Sequence, residues 1–212
     1  MTTEIATVLF DLGGVVCRFH PERRLHALAS ACGLPDFEVR AKVWDSGFDH
    51  DCDQGRYTAQ GMYQQIRMLL GLKVGYAEFR SMWSVAFEPN PAMLALVDRL
   101  RPELRVGLLT DNGPVLQEAM PMLFPDIDGR FEPMLFSCEL GAVKPTAKLF
   151  EAVLRRLNER AEQVLLVDDS PRVVQGADAF GLRACLYESL EALPRALAEY
   201  GLRIRPPLAR SE

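Results

Sequence analysis

The chain has 212 residues, of which 49% are hydrophobic and 25% charged, and its formal net charge is −5. This composition is typical of a globular protein with a hydrophobic core and room for one inserted unit. The negative charge and the absence of a dense lysine and arginine cluster argue against a nucleic-acid surface, which needs positive charge to displace counterions.

The sequence also bears on cellular context. No apolar run is long enough to cross a bilayer, and no basic segment leads into an apolar one near the N-terminus. We therefore expect a cytoplasmic protein with no membrane partner. The cysteines are odd in number and form no C-x-x-C pair, which indicates reduced thiols rather than a disulfide framework or a zinc site. They are Cys17, Cys32, Cys52, Cys138 and Cys185.

The first predicted strand covers residues 7–10 and ends at Asp11. Open α/β sheets carry out their chemistry at the C-terminal ends of their strands. Gly13 and Gly14 follow, and glycines let backbone amides close around an anion. A carboxylate in this setting suits a nucleophile that attacks a phosphoryl group.

The next stretch has helical rather than strand periodicity. Apolar residues recur at helical spacing in four segments, which predict a separate helical unit over residues 17–88. The segments are 21–31, 36–44, 58–70 and 76–85.

From about residue 90 onward, helix-like and strand-like stretches alternate, which predicts a doubly wound parallel sheet. Together with residues 1–16, residues 89–200 would form this second unit, and residues 201–212 would be a loose tail. In chain order we predict helix 91–101, strand 106–109, a helix from Pro114, strand 136–137, a helix capped by Thr146 that reaches residue 158, strand 164–167, helix 171–180 and strand 183–187.

Two further apolar runs end in polar groups. One leads into Thr110-Asp111-Asn112 and the other into Asp168-Asp169-Ser170, while Lys144-Pro145 precedes a predicted helix. Because parallel strands end at the same edge of a sheet, a carboxylate, a hydroxyl, an ammonium group and a pair of carboxylates would meet in one crevice.

The ordered set Asp11, Thr110, Lys144 and Asp168-Asp169 resembles the four motifs of the haloacid dehalogenase superfamily, whose members are mostly phosphatases that form an aspartyl-phosphate. The resemblance implies a Rossmann-like α/β core with an inserted all-helical cap, which here would be residues 17–88. It also implies a Mg²⁺ cofactor and a small phosphate ester as substrate.

The resemblance further implies roles for single residues. Asp11 would be the nucleophile, and hard oxygen ligands suit Mg²⁺. The ligands would be Asp11, Asp169, the backbone carbonyl of Gly13, and Asp168 acting through a water. The phosphate-binding residues would be Thr110, Asp111, Asn112 and Lys144. The alternatives are that the acid pair caps a helix and that Lys144 is a solvated surface lysine.

Gly13 departs from the family pattern, because most of its phosphatases carry at that place a second aspartate that protonates the leaving oxygen. General acid catalysis commonly contributes about 10²- to 10⁴-fold in rate. The chain is similar to the glucose-1-phosphate phosphatase branch, which has Asp-Leu-Gly in this motif and a segment comparable to residues 53–58. An anomeric hydroxyl leaves more readily than an ordinary alcohol, so we expect a sugar phosphate.

Asp111 is the second departure, since the family usually has Asn beside the hydroxyl residue. A carboxylate next to a phosphate repels it unless the carboxylate is protonated or turned away. Asp111 is therefore either a substitute acid or a turn residue that faces away from the substrate.

The acid-dense segment 44–55 fails as a calcium loop, because Gly55 stands one place late and Gln60 occupies the position of the bidentate Glu. We interpret it as a loop in which Trp44 and Phe48 either face the substrate or pack in the core. His20 and Arg56 are also candidates for substrate contact; the alternatives are a helix-entry residue and a solvated cation.

Two other functions are open at this point. A 2-haloacid dehalogenase would use the same Asp11 without a metal, but its acid pair would then repel a carboxylate substrate. A catalytically weakened binding protein would retain the fold alone. We expect a monomer or a homodimer.

Overall fold

A parallel sheet of five strands forms the centre of the computed structural model, which describes residues 4–100 and 104–205. The strand order is β5-β4-β1-β6-β7, and β1 pairs in parallel with both β4 and β6. This confirms the predicted doubly wound α/β fold. The strands are β1 (Thr7–Phe10), β4 (Arg105–Thr110), β5 (Met134–Phe136), β6 (Val164–Asp168) and β7 (Arg183–Leu186), while β2 and β3 lie outside this sheet.

The central strands β1 and β6 are mainly apolar, as expected for strands covered on both faces of the sheet. Every residue of β1 and β6 is buried. Successive side chains of a strand point to opposite faces, and accordingly Val8 and Phe10 belong to one hydrophobic cluster while Leu9 belongs to another. The continuous apolar runs seen in the sequence are thus the signature of strands buried on both sides.

The helices of this unit are close to those predicted. Thr146 accepts a hydrogen bond from the Leu149 amide at 3.4 Å and so caps its helix as expected. The predicted strand 136–137 is shifted, because β5 ends at Phe136 and Ser137 begins a short helix. Residue 101, the expected end of one helix, lies outside the described residues. The helices are α6 (Pro91–Leu100), α7 (Pro114–Leu123), α8 (Ser137–Leu140), α9 (Ala147–Leu157), α10 (Pro171–Phe180), α11 (Leu193–Glu199) and a 3₁₀ turn at Ala161–Gln163.

A helical unit is inserted after β1. Two short antiparallel strands, β2 (Cys17–Phe19) and β3 (Phe87–Pro89), form a ribbon at its base. Between them lie α1 (Pro21–Cys32), α2 (Asp36–Arg40), a π-helical turn (Ala41–Asp45), α3 (Phe48–Asp53), α4 (Ala59–Leu70) and α5 (Tyr76–Ser84). The helix α3 corrects our interpretation of segment 44–55 as a loop. Gly47 has φ of +82°, which lets the chain turn into α3, and Phe48 and Cys52 bury one face of the helix.

The inserted helices have a hydrophobic cluster of their own, which includes Met62, Ile66, Phe79 and Trp83. Val115 of α7 joins this cluster from the sheet unit. The expected domain boundaries stay a prediction: the first coincides with the start of β2, and the second falls within β3.

The tail predicted to be loose is only partly described. Leu202 is buried and Ile204 packs against the core of the sheet unit, so the part up to residue 205 is held by packing. The rest of the predicted tail lies outside the described residues. No helix among the described residues is both long enough and apolar enough to span a membrane.

Candidate active site

Three neighbouring strands deliver polar groups to one crevice at the C-terminal edge of the sheet. Asp11 directly follows β1, Thr110 ends β4 and Asp168 ends β6. The chain order reverses at β1, since β4 lies on one side of it and β6 on the other. Such a switch point is where open α/β sheets bind their ligands. The Asp11 amide donates to the Val167 carbonyl at 2.9 Å, which fixes the backbone of this carboxylate against β6.

Lys144 is the charged centre of the crevice. Its Nζ lies 2.7 Å from Asp11 Oδ1 and 2.7 Å from Asp168 Oδ2, and it also donates to the Leu109 carbonyl at 3.3 Å. The Lys144 side chain is only 4% exposed. The alternative of a solvated surface lysine is therefore wrong, because a buried ammonium group needs the opposite charges found here.

The charges of the crevice shift one another's pKa. Burial raises the pKa of Asp11 to about 6, although Lys144 acts in the opposite direction, and the Asp168 carboxylate adds to the rise. Burial alone would lower the pKa of Lys144, but the carboxylates of Asp11, Asp168 and Asp111 outweigh it and raise this pKa. Lys144 thus stays charged between two acids.

Asp11, Asp168 and Asp169 could hold a metal ion, because one oxygen atom from each lies within 4.8 Å of the others. Asp168 is already engaged, since Oδ1 accepts from the Ser170 amide at 2.9 Å and Oδ2 accepts from Lys144. Asp169 is exposed, and Gly14 makes room for it. A Cβ atom on Gly14, whose φ is +88°, would come 2.1 Å from Asp169 Oδ2. Three carboxylates are hard oxygen ligands of the kind that Mg²⁺ prefers.

Thr110 and Asn112 are held together in the same crevice. The Thr110 hydroxyl accepts from Asn112 Nδ2 at 2.7 Å, which leaves its own proton available for a ligand. The Asn112 amide donates to Ser137 Oγ at 3.1 Å and anchors the loop after β4. Thr110 is 1% exposed, so its hydroxyl is rigidly placed.

Asp111 fastens the loop that carries Lys144. Both of its carboxylate oxygens accept from the Lys144 amide, at 3.1 and 3.0 Å. Burial raises the pKa of Asp111, while the positive charge of Lys144 acts in the opposite direction. Asp111 lines the cavity described next, so it does not face away from the crevice as the turn alternative expected. Its hydrogen bonds with the Lys144 amide nevertheless favour a structural role over that of a substitute acid.

A cavity of about 430 Å³ lies between the crevice and the helical unit. Of the four predicted substrate contacts, only Trp44 lines it. Phe48 packs inside the helical unit against Tyr57. Arg56 pairs with Asp51 at 2.7 Å on the surface, and His20 lies beside Glu22 and Glu88.

Sequence reasoning missed three charged residues of the helical unit that line the cavity: Arg24, Asp49 and Asp53. Arg24 is 5% exposed, donates to the Trp83 carbonyl at 2.6 Å and lies over the Trp83 ring. Asp49 and Asp53 are one helical turn apart, so they share a face of α3. The many acidic residues of segment 44–55 could have indicated Asp49 and Asp53. Which of these acids face the cavity depends on the helix α3, which the sequence did not reveal.

A doubly wound sheet with acids and a buried lysine at its switch point is typical of α/β enzymes. The chain matches the family model of haloacid dehalogenase-like hydrolases over residues 5–181, and it belongs to this family. The resemblance predicted from the four motifs is therefore confirmed at the level of the superfamily.

Relatives and solved structures agree with this assignment. The chain is 24% identical to a D-ribitol-5-phosphate phosphatase of Bacteroides thetaiotaomicron over 78% of its length and 83% of the relative. It is 27% identical to a phosphatase of Mycobacterium tuberculosis, with 87% and 88% covered. These relatives place the chain among the phosphatases of the family.

A crystal structure of a Bacteroides thetaiotaomicron enzyme of the family has a TM-score of 0.78 at 21% identity, covering 90% of this chain and 98% of that one. The same enzyme has been solved with magnesium and inorganic phosphate, with a TM-score of 0.76 at 21% identity and 89% and 98% covered. These structures share the fold.

Proposed function

We propose that the chain is a Mg²⁺-dependent phosphomonoester hydrolase that forms an aspartyl-phosphate on Asp11. The observation that carries this proposal is the geometry of Lys144, which bridges Asp11 and Asp168 at 2.7 Å each beside the exposed Asp169. A nucleophile, a fixed positive charge and a group of hard oxygen ligands are the components that phosphoryl transfer requires.

The residues present fit a magnesium ion. Asp11 and Asp169 would hold it directly together with the Gly13 carbonyl, while Asp168, whose oxygens are both engaged, would act through a water. Gly14 supports this arrangement, because any side chain there would displace the Asp169 carboxylate. When bound, the ion neutralises charge on the phosphoryl group and reduces its repulsion of Asp11.

The chain's own groups account for the remaining steps. Asp11 attacks phosphorus, and Lys144 holds this carboxylate in place and neutralises a phosphoryl oxygen. Thr110 donates its free hydroxyl proton to another phosphoryl oxygen. Asn112 orients that hydroxyl, and Asp111 holds the backbone of Lys144.

For the substrate, we propose a sugar or polyol phosphate. One relative is named for D-ribitol-5-phosphate, and the charged side chains with which the helical unit lines the cavity, Arg24, Asp49 and Asp53, suit hydroxyl groups. Glucose-1-phosphate is the alternative that the Asp-Leu-Gly motif favours. The expectations of a cytoplasmic enzyme, of a monomer or homodimer and of no nucleic-acid partner stay predictions.

The test is phosphate release from a panel of ribitol, glucose and glycerol phosphates, with Mg²⁺ and with excess chelator. We expect Mg²⁺-dependent release that Asp11→Asn abolishes and that Asp51→Asn, on the surface of α3, leaves unchanged. Metal-independent release of halide from a 2-haloacid would instead support a dehalogenase, for which a solved L-2-haloacid dehalogenase with a TM-score of 0.61 shows only the shared fold. Binding of phosphate without turnover of any ester would support the binding protein.

A further inference from the structure

Most phosphatases of the family carry an aspartate that donates a proton at the place where this chain has Gly13. Gly13 has no side chain, and aromatic rings close off the space beside it. A Cβ atom on Gly13 would lie 3.3 Å from Phe87 Cε1 and 3.5 Å from Phe19 Cγ. Phe19 and Phe87 face each other across the β2–β3 ribbon. An acid is therefore needed from another part of the cavity wall if the leaving group is an ordinary alcohol.

We propose that Asp53, from the inserted helical unit, is the general acid that protonates the leaving oxygen. This inference rests on the proposed phosphatase function. Asp53 is the last residue of α3 and lines the same cavity as Asp11. A substrate whose phosphoryl group meets Asp11 would extend its leaving group toward this wall.

Gly113 lets α3 approach the loop that follows Thr110. A Cβ atom on Gly113 would lie 3.3 Å from Cys52 Cβ and 3.6 Å from Asp53 Oδ1. The Asp53 carboxyl therefore lies beside Gly113, the residue that precedes α7. Gly113 is two residues after Asp111 in the chain. This contact brings a residue of the helical unit next to the phosphate-binding loop of the sheet unit.

The surroundings of Asp53 keep it protonated near neutral pH. Burial raises its pKa to about 8, with the help of Asp49 on the same helix and Asp111 on the facing loop, while Arg24 of α1 acts in the opposite direction. The Cys138 thiol of α8 also faces Asp53. Within the described residues no hydrogen bond occupies the Asp53 carboxyl, so its proton is free to be donated.

The other acids of the wall are less suited to this role. Both oxygens of Asp111 accept from the Lys144 amide. Asp49 accepts a hydrogen bond from the Trp44 side chain. Asp53 is thus the acid without a hydrogen-bonding partner among the three.

Arg24 completes the arrangement. Its Nη2 atom is buried and has no hydrogen-bond partner among the described residues, although Nε donates to the Trp83 carbonyl. When Asp53 gives up its proton, this guanidinium stabilises the resulting carboxylate. Arg24 is thereby a positioning residue.

The two half-reactions balance. In the first, the bond between phosphorus and the leaving oxygen breaks as Asp11 Oδ bonds to phosphorus, and the Asp53 proton goes to the leaving oxygen to give the alcohol. In the second, water attacks phosphorus, the bond to Asp11 breaks, and a proton of the water returns to Asp53. Inorganic phosphate leaves and both carboxyl groups regain their starting states.

The experiment compares the first turnover of Asp53→Asn with two leaving groups by rapid quench in Mg²⁺. p-Nitrophenolate leaves without a proton, whereas glycerol requires one. We expect release of glycerol to slow by about 10²- to 10⁴-fold and the p-nitrophenolate burst to change by less than about tenfold. The wild-type rate for glycerol phosphate should fall as pH rises through about 8, because Asp53 must be protonated, and the variant should lose this dependence.

Asp51→Asn is the matched control, since Asp51 lies on the same helix but pairs with Arg56 at the surface. The p-nitrophenolate burst shows that the variant is folded and can still be phosphorylated. Equal slowing for both leaving groups, or no selective loss with glycerol phosphate, would overturn the role of Asp53 while leaving the phosphatase function intact. A wild-type protein that releases phosphate from none of these esters would overturn the phosphatase function, and the role of Asp53 with it.

Discussion

At the scale of single residues, Lys144 determines the electrostatics of the crevice. Removing one partner of a buried ionic cluster leaves the others unpaired, which commonly costs about 3–5 kcal/mol. In this chain, loss of the ammonium group would leave Asp11 and Asp168 buried and in mutual repulsion.

We therefore expect Lys144→Met to lower both stability and activity. Unfolding in urea should show a loss of about 3–5 kcal/mol, and kcat should fall by at least about 10²-fold. Lys148→Met is the control, since Lys148 is an exposed lysine in α9. Wild-type stability in Lys144→Met would show that the two acids do not need this charge.

Asp53 also affects stability through pH. Its pKa is raised from 3.8 to about 8 in the folded chain, so between these values the unfolded chain ionises while the folded one stays protonated. The unfolded state then binds fewer protons, and stability falls as pH rises from about 4 to 8. Below this window, and above it, the contribution is constant.

Asp53→Asn removes this dependence. We expect its Tm to match that of the wild type near pH 4 and to exceed it progressively up to pH 8, by at least about 2 °C. Thermal unfolding across this pH range measures the difference, with Asp51→Asn as control. A difference that does not change with pH would contradict the raised pKa.

Residues near strand ends were predictable from the sequence, whereas those of the inserted unit were not. Asp11, Thr110 and Asp168 follow apolar runs, and the rule that parallel strands share an edge brings them together. Arg24 and Asp53 reach the cavity only because α1 and α3 pack over it, which no local pattern indicates. The helix α3 was missed because its acids suggested a loop, while burial of Phe48 and Cys52 determines its orientation.

At the scale of elements, α10 supports the segment that carries Lys144. A Cβ atom on Gly176 of α10 would come 2.4 Å from Pro145 Cβ and 2.9 Å from Pro145 Cγ. The absence of a side chain at Gly176 thus lets the helix pack directly against the residue after Lys144. This close contact links a helix of the sheet unit to the position of the charged centre.

Gly176→Ala tests this contact. Alanine is more favourable than glycine inside a helix by about 1 kcal/mol. The substitution would therefore stabilise the protein if the contact between α10 and Pro145 did not matter. We expect the opposite, a lower Tm together with a lower kcat, because Pro145 must move. Pro145→Ala in the same background should recover part of the loss, and a stabilised, fully active Gly176→Ala would refute the argument.

At the scale of the whole molecule, the acidic crevice should make stability depend on divalent metal. Asp11, Asp168 and Asp169 hold negative charge within 4.8 Å, and an ion that binds the folded chain alone stabilises it by mass action. We expect Mg²⁺ to raise the Tm of the wild type. Asp169→Asn should reduce this rise, whereas Asp128→Asn, in a turn that does not line the cavity, should keep it. A Tm that is insensitive to Mg²⁺ would contradict the metal site.

The β2–β3 ribbon has a consequence for the order of events in a reaction cycle. The chain enters and leaves the helical unit through these two short strands, so Asp11 and Asp53 belong to different units, which share a hydrophobic contact through Val115 of α7. With Asp53 as the acid, cleavage of the ester requires both units to contact the substrate. An ester bound to the sheet unit alone meets the nucleophile but has no proton donor for its leaving oxygen. The helical unit then selects substrates by the rate of ester cleavage as well as by how long the ester stays bound. A leaving group that packs poorly against the helices lies too far from Asp53 to be protonated.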